Sequence, residues 1–192
     1  MRVKGKAAPL IRLSRDEDVA AITAIYGHHV LHGVASFEEA PPDEREMARR
    51  RDDIIKRGLP YLVAERDGRV VGYCYAGPFR PRIGYRYTLE DSIYVDASEV
   101  GRGIGRLLLS PVIERCTELG YRQMVAVIGG RETIGSIRLH EALGFTHIGV
   151  FPAIGFKFGR WIDTVLMQRA LGPGADTLPE LDRPDSLGAA KR

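Results

Sequence analysis

The sequence predicts an α/β (α+β) fold, built on a mixed central β-sheet with helices on both faces. Two features of the pattern indicate this class. Early β-rich segments are joined by a hairpin signal, which predicts antiparallel strands. From residue 92 onward, strand and helix patterns alternate as β-α-β-α-β, which is typical of a sheet covered by its own connecting helices. Together the two parts predict one mixed sheet.

Helix signals occur in four places along the chain. The predicted helices cover residues 14–33, 42–58, 101–120 and 136–143. Ser14 and Glu17 have the spacing of a capping box, and apolar residues recur at helical intervals behind them. Each segment ends at or just before a glycine, which readily adopts the left-handed conformation that terminates helices.

Strand signals fill the segments between and beyond these helices. The predicted strands are Ile11–Leu13, Tyr61–Glu65, Val70–Ala76, Ser92–Val95, Gln123–Ile128, His147–Phe158 and Thr164–Leu171. Asp67 and Gly68 stand between the second and third of them, and this dipeptide is typical of a two-residue hairpin turn. The first strands are therefore expected to form a meander.

The length of 192 residues fits one domain of ordinary size. We expect this domain over residues 10–171, with a flexible leader at 1–9. A flexible tail is expected at 172–192, where the composition shifts to Gly, Pro, Asp and Ala. Apolar residues make up 44% of the chain and charged residues 28%, which is typical of a globular protein.

Charge and cysteine usage narrow the range of partners. The net charge is +3, and the arginines between Asp43 and Asp53 alternate with acids, which predicts a solvated helix face rather than a nucleic-acid-binding stripe. No apolar run approaches the ~18 residues of a membrane span, and no secretory signal is evident. Cys74 and Cys116 lie in apolar segments and are interpreted as buried thiols in a reducing compartment. We therefore expect a cytoplasmic protein that binds neither nucleic acid nor membrane.

A glycine-rich turn between a strand and a helix is the strongest chemical signal. Gly101, Gly103 and Gly105 follow the strand at Ser92–Val95 and open the next helix. Glycines let a ligand approach the backbone, and the free N–H groups of a first helical turn attract phosphate. Arg102 and Arg106 would add charge-assisted contacts. The turn suits a pyrophosphate, although an ordinary flexible connection is the alternative.

Two other phosphate-binding motifs do not fit this turn. A dinucleotide-binding turn requires a third glycine where Leu108 stands, and an acidic residue ~20 positions further on, where residues 121–127 contain none. A P-loop requires Gly-Lys-Ser/Thr, which does not follow here. The pyrophosphate of a cofactor such as coenzyme A remains as the candidate ligand of the turn.

Two stretches resemble the GCN5-related N-acetyltransferase (GNAT) family: the turn Gly101-x-Gly103-x-Gly105 and the segment Ser136-Ile-Arg-Leu-His-Glu-Ala-Leu-Gly-Phe145. Further stretches resemble the phosphinothricin and methionine-sulfone acetyltransferase branch of the family. They are Ala35-Ser-Phe-Glu38, Tyr75-Ala-Gly-Pro-Phe-Arg-Pro81, Thr88-Leu-Glu-Asp-Ser-Ile-Tyr-Val95, Val125-Ala-Val-Ile128 and Gly155-Phe-Lys-Phe-Gly-Arg-Trp161. The resemblance implies a splayed sheet, acetyl-CoA as cosubstrate and a homodimer.

The resemblance also implies where acetyl-CoA lies. Backbone of Ile93, Tyr94 and Val95 is expected to bind the pantetheine arm, as an added strand would be bound. The remaining expected contacts are Gly101, Arg102, Gly103, Ile104, Gly105, Arg106, Thr133 and Ser136. The family usually has Gln or Arg in place of Val100 and Asn in place of Thr133. Backbone donors remain and a threonine hydroxyl can donate one hydrogen bond, so we expect weaker binding, not its loss.

Attack of an amine on a thioester requires a base, donors for the oxyanion and a proton for the thiolate. Glu90 is the candidate base, because burial and the neighbouring Asp91 would raise its pKa. A salt bridge from Glu90 to Arg80 or Arg86 is the alternative. The resemblance implies Glu90 as the catalytic carboxylate and His140 as the general acid, at a place where many family members have tyrosine. A packing or capping histidine is the alternative for His140.

A basic, aromatic loop precedes Glu90, with Phe79-Arg-Pro-Arg82 followed by Tyr85-Arg-Tyr87. Guanidinium groups fork onto carboxylate, phosphinate or sulfone oxygens, so the loop predicts a small anionic amino-acid-like substrate. The substrate contacts implied by the resemblance are Arg80, Pro81, Arg82, Glu90, Asp91 and Ser92. A solvated basic loop is the alternative. Lys157 and Arg160 either close over the pocket or lie on a hairpin surface.

Three functions remain open at this point. The favoured one is acetylation of a phosphinothricin-like or methionine-sulfone-like amino acid. A peptide N-acetyltransferase is disfavoured by the compact basic loop, and a non-catalytic acetyl-CoA sensor is disfavoured by the presence of both Glu90 and His140. His28 and His32 have a metal-ligand spacing, but no third ligand is evident. We therefore expect no metal.

Overall fold

The computed structural model describes residues 7–179. Its elements are β1 (Leu10–Leu13), α1 (Val19–His32), α2 (Glu44–Lys56), β2 (Tyr61–Arg66), β3 (Arg69–Pro78), β4 (Thr88–Val95), α3 (Ile104–Glu118), β5 (Gln123–Gly129), α4 (Ile134–Ala142), β6 (Thr146–Lys157) and β7 (Arg160–Ala170). Parts of the predicted leader and tail, 1–6 and 180–192, lie outside the described residues, and the domain limits stay predictions. Among the described helices, none is long and apolar enough to cross a membrane.

The seven strands form one sheet in the order β1-β2-β3-β4-β5-β7-β6. β4 and β5 are parallel, and every other pair of neighbours is antiparallel. The hairpin between β2 and β3 turns through Asp67 and Gly68, which have φ angles of 52° and 73°. These angles match the two-residue turn that suits the twist of paired strands. The predicted mixed sheet and its hairpin are confirmed.

Helices cover both faces of the sheet, because alternate strand residues point to opposite faces. On one face, Tyr61, Val63 and Tyr73 pack with α1 and α2 in one apolar cluster. On the other face, Leu62, Ala64 and Cys74 pack with α3 in a second cluster. Ile137 and Leu139 of α4 also pack against the second cluster, so the strand residues of the two clusters lie on an α1/α2 face or on an α3/α4 face.

A gap opens between the parallel strands β4 and β5. Their pairing covers only three residues on each strand and ends at Glu90 and Val125. Beyond that point β4 stays paired with β3 as far as Val95, and β5 stays paired with β7 as far as Gly129. The two strands therefore diverge, and residues 91–95 of β4 have no strand partner on the β5 side within residues 7–179. This is the splayed sheet that the family resemblance implies.

The start of α1 differs from the prediction. Asp18, rather than Glu17, accepts a hydrogen bond from the Arg15 backbone N–H at 2.7 Å. The Ser14 hydroxyl instead accepts from Arg51 Nε at 2.8 Å, and Arg51 is 5% exposed. The capping box at Ser14 and Glu17 is therefore wrong. The predicted solvated face of α2 is wrong at Arg51, because this guanidinium fastens α2 to the segment before α1.

Candidate active site

A cavity of about 420 Å³ lies on the α1/α2 face beside the point where β4 and β5 diverge. Its polar end carries Arg80 and Glu90, and its walls are apolar residues from several elements. The wall residues used below are Phe37, Phe79, Val125, Ile148, Phe151 and Ile154. We call this space the central cavity. Its mixture of apolar walls and few charged groups is typical of a site for a small molecule.

Glu90 lies within β4, whereas the sequence pattern began that strand only at Ser92. Burial, then the charge of Asp91, raises the pKa of Glu90 to about 7, and the nearby Arg80 opposes the rise. Within residues 7–179 its carboxylate has no ion pair, so the alternative of a salt bridge to Arg80 or Arg86 is not found. Glu90 can therefore exchange a proton near neutral pH.

Arg80 extends from the loop before β4 towards the same cavity. Its guanidinium lies over the Phe79 ring at 5.0 Å and over the Tyr85 ring at 5.8 Å. These rings hold the cation beside the cavity without neutralising it. Pro81 and Arg82 belong to the same loop but are exposed and do not line the cavity. Of the three predicted loop contacts, the structure brings Arg80 next to Glu90.

Asp91 and His140 form a buried pair on the α3/α4 face. His140 Nε2 lies 3.0 Å from Asp91 Oδ2, and both side chains are 2% exposed. His140 Nδ1 donates to the Ser136 carbonyl oxygen at 2.7 Å. Burial lowers the pKa of His140, but the Asp91 hydrogen bond and charge outweigh it, so the pKa is raised overall. Because the Ser136 carbonyl can only accept, Nδ1 carries a proton, and the raised pKa favours the doubly protonated imidazolium form of the ring.

Glu90 and His140 therefore stand on opposite faces of the sheet. Glu90 and Asp91 are neighbours in a strand, so their side chains point in opposite directions. Both lie where the β4–β5 pairing ends. A group lodged in the gap would meet Glu90 from one face and the Asp91–His140 pair from the other. Of the other predicted substrate contacts, Ser92 shares the face of Glu90, whereas Asp91 does not.

The glycine turn leads into the N-terminus of α3. Gly101 and Gly103 have φ angles of 79° and 77°, which side-chain-bearing residues rarely adopt. A Cβ atom at either position would meet no atom within 4 Å, so the backbone faces open space. Gly103 is the N-cap of α3 and provides no side-chain cap. The first amides of α3 are thus left for an anion, and the turn fits a pyrophosphate.

Other residues that were predicted to bind the cofactor also make contacts within the fold. A Cβ at Gly105 would lie 2.9 Å from Leu139 Cδ2, so this glycine lets α3 pack against α4. Arg102 Nε lies 3.3 Å from the buried Glu99 carboxylate, which leaves the guanidinium half-exposed beside the turn. The Thr133 hydroxyl donates to the Gly129 carbonyl oxygen at 2.6 Å. The hydrogen bond that Thr133 was expected to donate to the cofactor is therefore already used within the fold.

The remaining predicted cofactor residues lie around the gap. Ile93, Tyr94 and Val95 occupy the unpaired edge of β4. Ile104 is buried, whereas Arg106 is exposed in the first turn of α3. Ser136 lies in the first turn of α4 and its carbonyl holds His140.

Sequence reasoning missed much of the wall of the central cavity. Phe37 was noted only as part of a family-like stretch, and Ile148, Phe151 and Ile154 only as strand residues. These three are large apolar side chains of β6 that stay 45–60% exposed. A strand that keeps several such residues exposed signals a binding surface, and this signal appears only once the structure places β6 at the sheet edge. Within the described part of the chain, no group of three or more His, Cys, Asp and Glu side chains is placed to hold a metal ion.

Comparison with known families decides which cofactor this geometry serves. A model of the acetyltransferase (GNAT) domain matches residues 11–166, most of the chain. The chain belongs to the GNAT acetyltransferase family. It is an acetyl-CoA-dependent N-acetyltransferase, and the gap and the glycine turn fit that cosubstrate.

Individual relatives of this GNAT acetyltransferase are similar over nearly its whole length. A phosphinothricin N-acetyltransferase of Alcaligenes faecalis is 54% identical over 91% of this chain and 89% of its own. An L-methionine sulfoximine/L-methionine sulfone acetyltransferase of Salmonella typhimurium is 42% identical over 84% of this chain and 94% of its own. The crystal structure of a phosphinothricin acetyltransferase from Sinorhizobium meliloti, in complex with acetyl-CoA, superposes with a TM-score of 0.88 at 49% identity, covering 92% of this chain and 95% of that one.

Proposed function

We propose that this enzyme transfers the acetyl group of acetyl-CoA to the amine of a small anionic amino acid of the phosphinothricin, methionine sulfone or methionine sulfoximine type. The observation that carries the proposal is the pairing of Arg80 and Glu90 at the polar end of one apolar cavity. The names of the relatives described above point to the same class of acceptor.

The central cavity supports binding of the acceptor by charge and by apolar contact. The Arg80 guanidinium, which lies over the Phe79 and Tyr85 rings, is suited to the acidic group of the acceptor. The apolar walls from β5 and β6 suit its side chain. The cavity volume of about 420 Å³ suits a free amino acid better than it suits a peptide.

Glu90 is the proposed base, acting directly or through a water molecule. An amine that attacks a thioester must first lose a proton. With a pKa of about 7, Glu90 is partly ionised at neutral pH and can accept that proton. Glu90 lies where the β4–β5 pairing ends, so a thioester held in the gap would lie beside its carboxylate.

The proposed acetyl-CoA contacts follow the gap and the turn. The edge of β4 at residues 93–95 would hold the pantetheine arm, and the amides of residues 101–106 would hold the pyrophosphate. When bound, acetyl-CoA supplies the thioester. Backbone N–H groups near Tyr94 and Val95 are the proposed donors to the oxyanion of the tetrahedral intermediate.

His140 is the proposed source of the proton for the leaving thiolate. Its imidazolium is maintained by Asp91 and lies at the apex of the gap, on the face opposite Glu90. If one group removes a proton on one face and the other delivers a proton on the opposite face, the base and the acid do not neutralise each other by direct proton transfer. The separation of Glu90 and His140 therefore supports the division of roles.

We further propose a cytoplasmic homodimer that binds neither nucleic acid nor membrane. Several large apolar side chains of the β6–β7 hairpin are exposed, Trp161 by 65%, and such a surface suits a second copy of the chain. Cys74 and Cys116 are free and buried, which agrees with a reducing compartment. Arg49 and Arg50 on α2 are paired with acids, which does not favour a nucleic-acid site.

Release of free CoA thiol, measured with a panel of amines, tests the proposal. The panel contains phosphinothricin, methionine sulfone, methionine sulfoximine, ordinary amino acids and a peptide with a free N-terminus. We expect the highest kcat/KM with one of the first three. A preference for the peptide, or acetyl-CoA binding without turnover of any amine, would refute the proposed acceptor class.

A further inference from the structure

Lys157 is a buried cation that the proposed chemistry does not use. It lies at the end of β6, is 2% exposed, and its ammonium group reaches across to the segment after α1. Nζ donates to the Gly33 carbonyl oxygen at 3.0 Å and to the Ser36 carbonyl oxygen at 2.6 Å. Burial lowers the pKa of Lys157, and the charges of Glu39 and Glu38 oppose that shift. A buried ammonium is costly unless hydrogen bonds compensate for it, so these two bonds have a structural purpose.

The segment that Lys157 holds is the 33–38 loop, which runs closely over β5 and β6. A Cβ atom at Gly129 of β5 would overlap the Val34 carbonyl oxygen. A Cβ atom at Gly155 of β6 would lie 2.5 Å from the Phe37 ring. Neither glycine has a positive φ angle, so the close approach of the loop accounts for the lack of a side chain.

Phe37 connects this loop to the central cavity. Its ring packs on Gly155 and also lines the cavity that contains Arg80 and Glu90. The loop is held from its other side as well, since the Ser36 hydroxyl lies 2.8 Å from the Tyr26 hydroxyl on α1. The position of the Phe37 wall therefore depends on how firmly the loop is held between α1 and β6.

We propose that Lys157 is a positioning residue that fixes the 33–38 loop on β6 and thereby sets which acceptors the central cavity accepts. The inference rests on the proposed function, because it assumes that the acceptor binds in this cavity. Lys157 acts through the loop and Phe37 and does not touch the acceptor itself. Its hydrogen bonds go to the loop and not to the glycine turn, so its influence should fall on the acceptor and not on acetyl-CoA.

Hydrogen–deuterium exchange tests the structural half of the proposal without any substrate. Lys157→Met keeps the length and removes both hydrogen bonds to the loop. We expect faster exchange in a peptide that covers residues 33–38, and unchanged exchange in Lys56→Met, which alters an exposed lysine at the end of α2. Unchanged exchange of the loop in a folded Lys157→Met protein would overturn the proposal.

Steady-state kinetics tests the functional half. Loss of hydrogen bonds to a charged group should raise the KM for the best acceptor of the panel by about tenfold. We expect kcat and the KM for acetyl-CoA to change by less than about twofold, because the loop holds neither the base nor the cosubstrate. Equal rises in both KM values, or no rise in either, would contradict the selective role.

Gly155→Ala provides a second variant that leaves Lys157 intact. Its Cβ would displace the Phe37 ring, so it should reproduce the acceptor-specific rise in KM. Gly149→Ala on the same strand is the matched control, since nothing lies within 4 Å of a Cβ there. If Lys157→Met does not fold, Gly155→Ala against Gly149→Ala decides the case, and equal KM values for these two would overturn the proposal. A wild-type enzyme that acetylates none of the proposed acceptors refutes the proposed function instead.

Discussion

Replacing Glu90 with glutamine should slow the enzyme and stabilise its fold, because both effects have one cause. Burial and the Asp91 carboxylate raise the pKa of Glu90 from 4.5 to about 7. A carboxyl with a raised pKa binds its proton more tightly in the folded state. Its contribution to stability is therefore greatest below pH 4.5 and declines as the pH rises towards 7. Above that pH the ionised carboxylate costs the fold about 3 kcal/mol, which glutamine removes.

Two measurements on Glu90→Gln follow from this reasoning. Urea unfolding should show a gain in the free energy of unfolding at pH 8 that nearly vanishes at pH 4. Thiol release at saturating acetyl-CoA should show a fall in kcat of at least about tenfold, since a general base contributes about 10²-fold or more. The rise of the wild-type kcat/KM with an apparent pKa near 7 should also be absent from the variant. Acetyl-CoA binding should be kept, because Glu90 does not face the glycine turn.

Glu114→Gln is the matched control, because Glu114 is an exposed carboxyl on α3. It should alter neither the kinetics nor the dependence of stability on pH. The reasoning fails if Glu90→Gln keeps the wild-type rate, or if it gives no extra stability at pH 8. Either outcome would mean that Glu90 is not the buried, readily protonated base that we propose.

Three further substitutions test separate parts of the site. Arg80→Ala should lower kcat/KM for an anionic acceptor by about tenfold or more and leave the KM for acetyl-CoA unchanged. Steady-state kinetics in which each substrate is varied in turn measures both. Gly103→Ala should lower the free energy of unfolding by about 1 kcal/mol in urea, because alanine is strained at the left-handed φ angle of this position. It should also raise the KM for acetyl-CoA and leave the KM for the acceptor unchanged. Gly149→Ala is its control. Asp91→Asn should lower the free energy of unfolding by about 3 kcal/mol at pH 6. That loss should shrink at pH 9, since the raised pKa of His140 means that its charged form stabilises the fold only at lower pH.

Much of the fold followed from local pattern. Asp67 and Gly68 specify their hairpin through the positive φ angles that this dipeptide tolerates, and the structure has both. The alternation of strands and helices after residue 92 predicted the helices on both faces. The order β5-β7-β6 could not be predicted in this way, because pairing of distant strands depends on packing of the whole sheet. The exposed hairpin surface of β6 follows from that order.

The sequence indicated the candidate residues of the site, but it indicated much less about how they are arranged in space. The expected strand began at Ser92, because Glu90 and Asp91 have low strand propensity. Starting the strand at Thr88 shows at once that these two carboxyls point to opposite faces. Lys157 was left as either a pocket residue or a surface residue, and the structure places it in neither role. Its contacts with Gly33 and Ser36 join residues more than 120 positions apart, which no local signal reveals.

A crystal structure of the enzyme with CoA and methionine sulfone tests the central claim most directly, by the distance from the acceptor nitrogen to the Glu90 carboxylate. We predict that the nitrogen lies within about 3 Å of a carboxylate oxygen, or within reach of it through one water molecule, with the CoA sulfur in the gap between β4 and β5. A nitrogen on the α3/α4 face, beside the Asp91–His140 pair, would contradict the account.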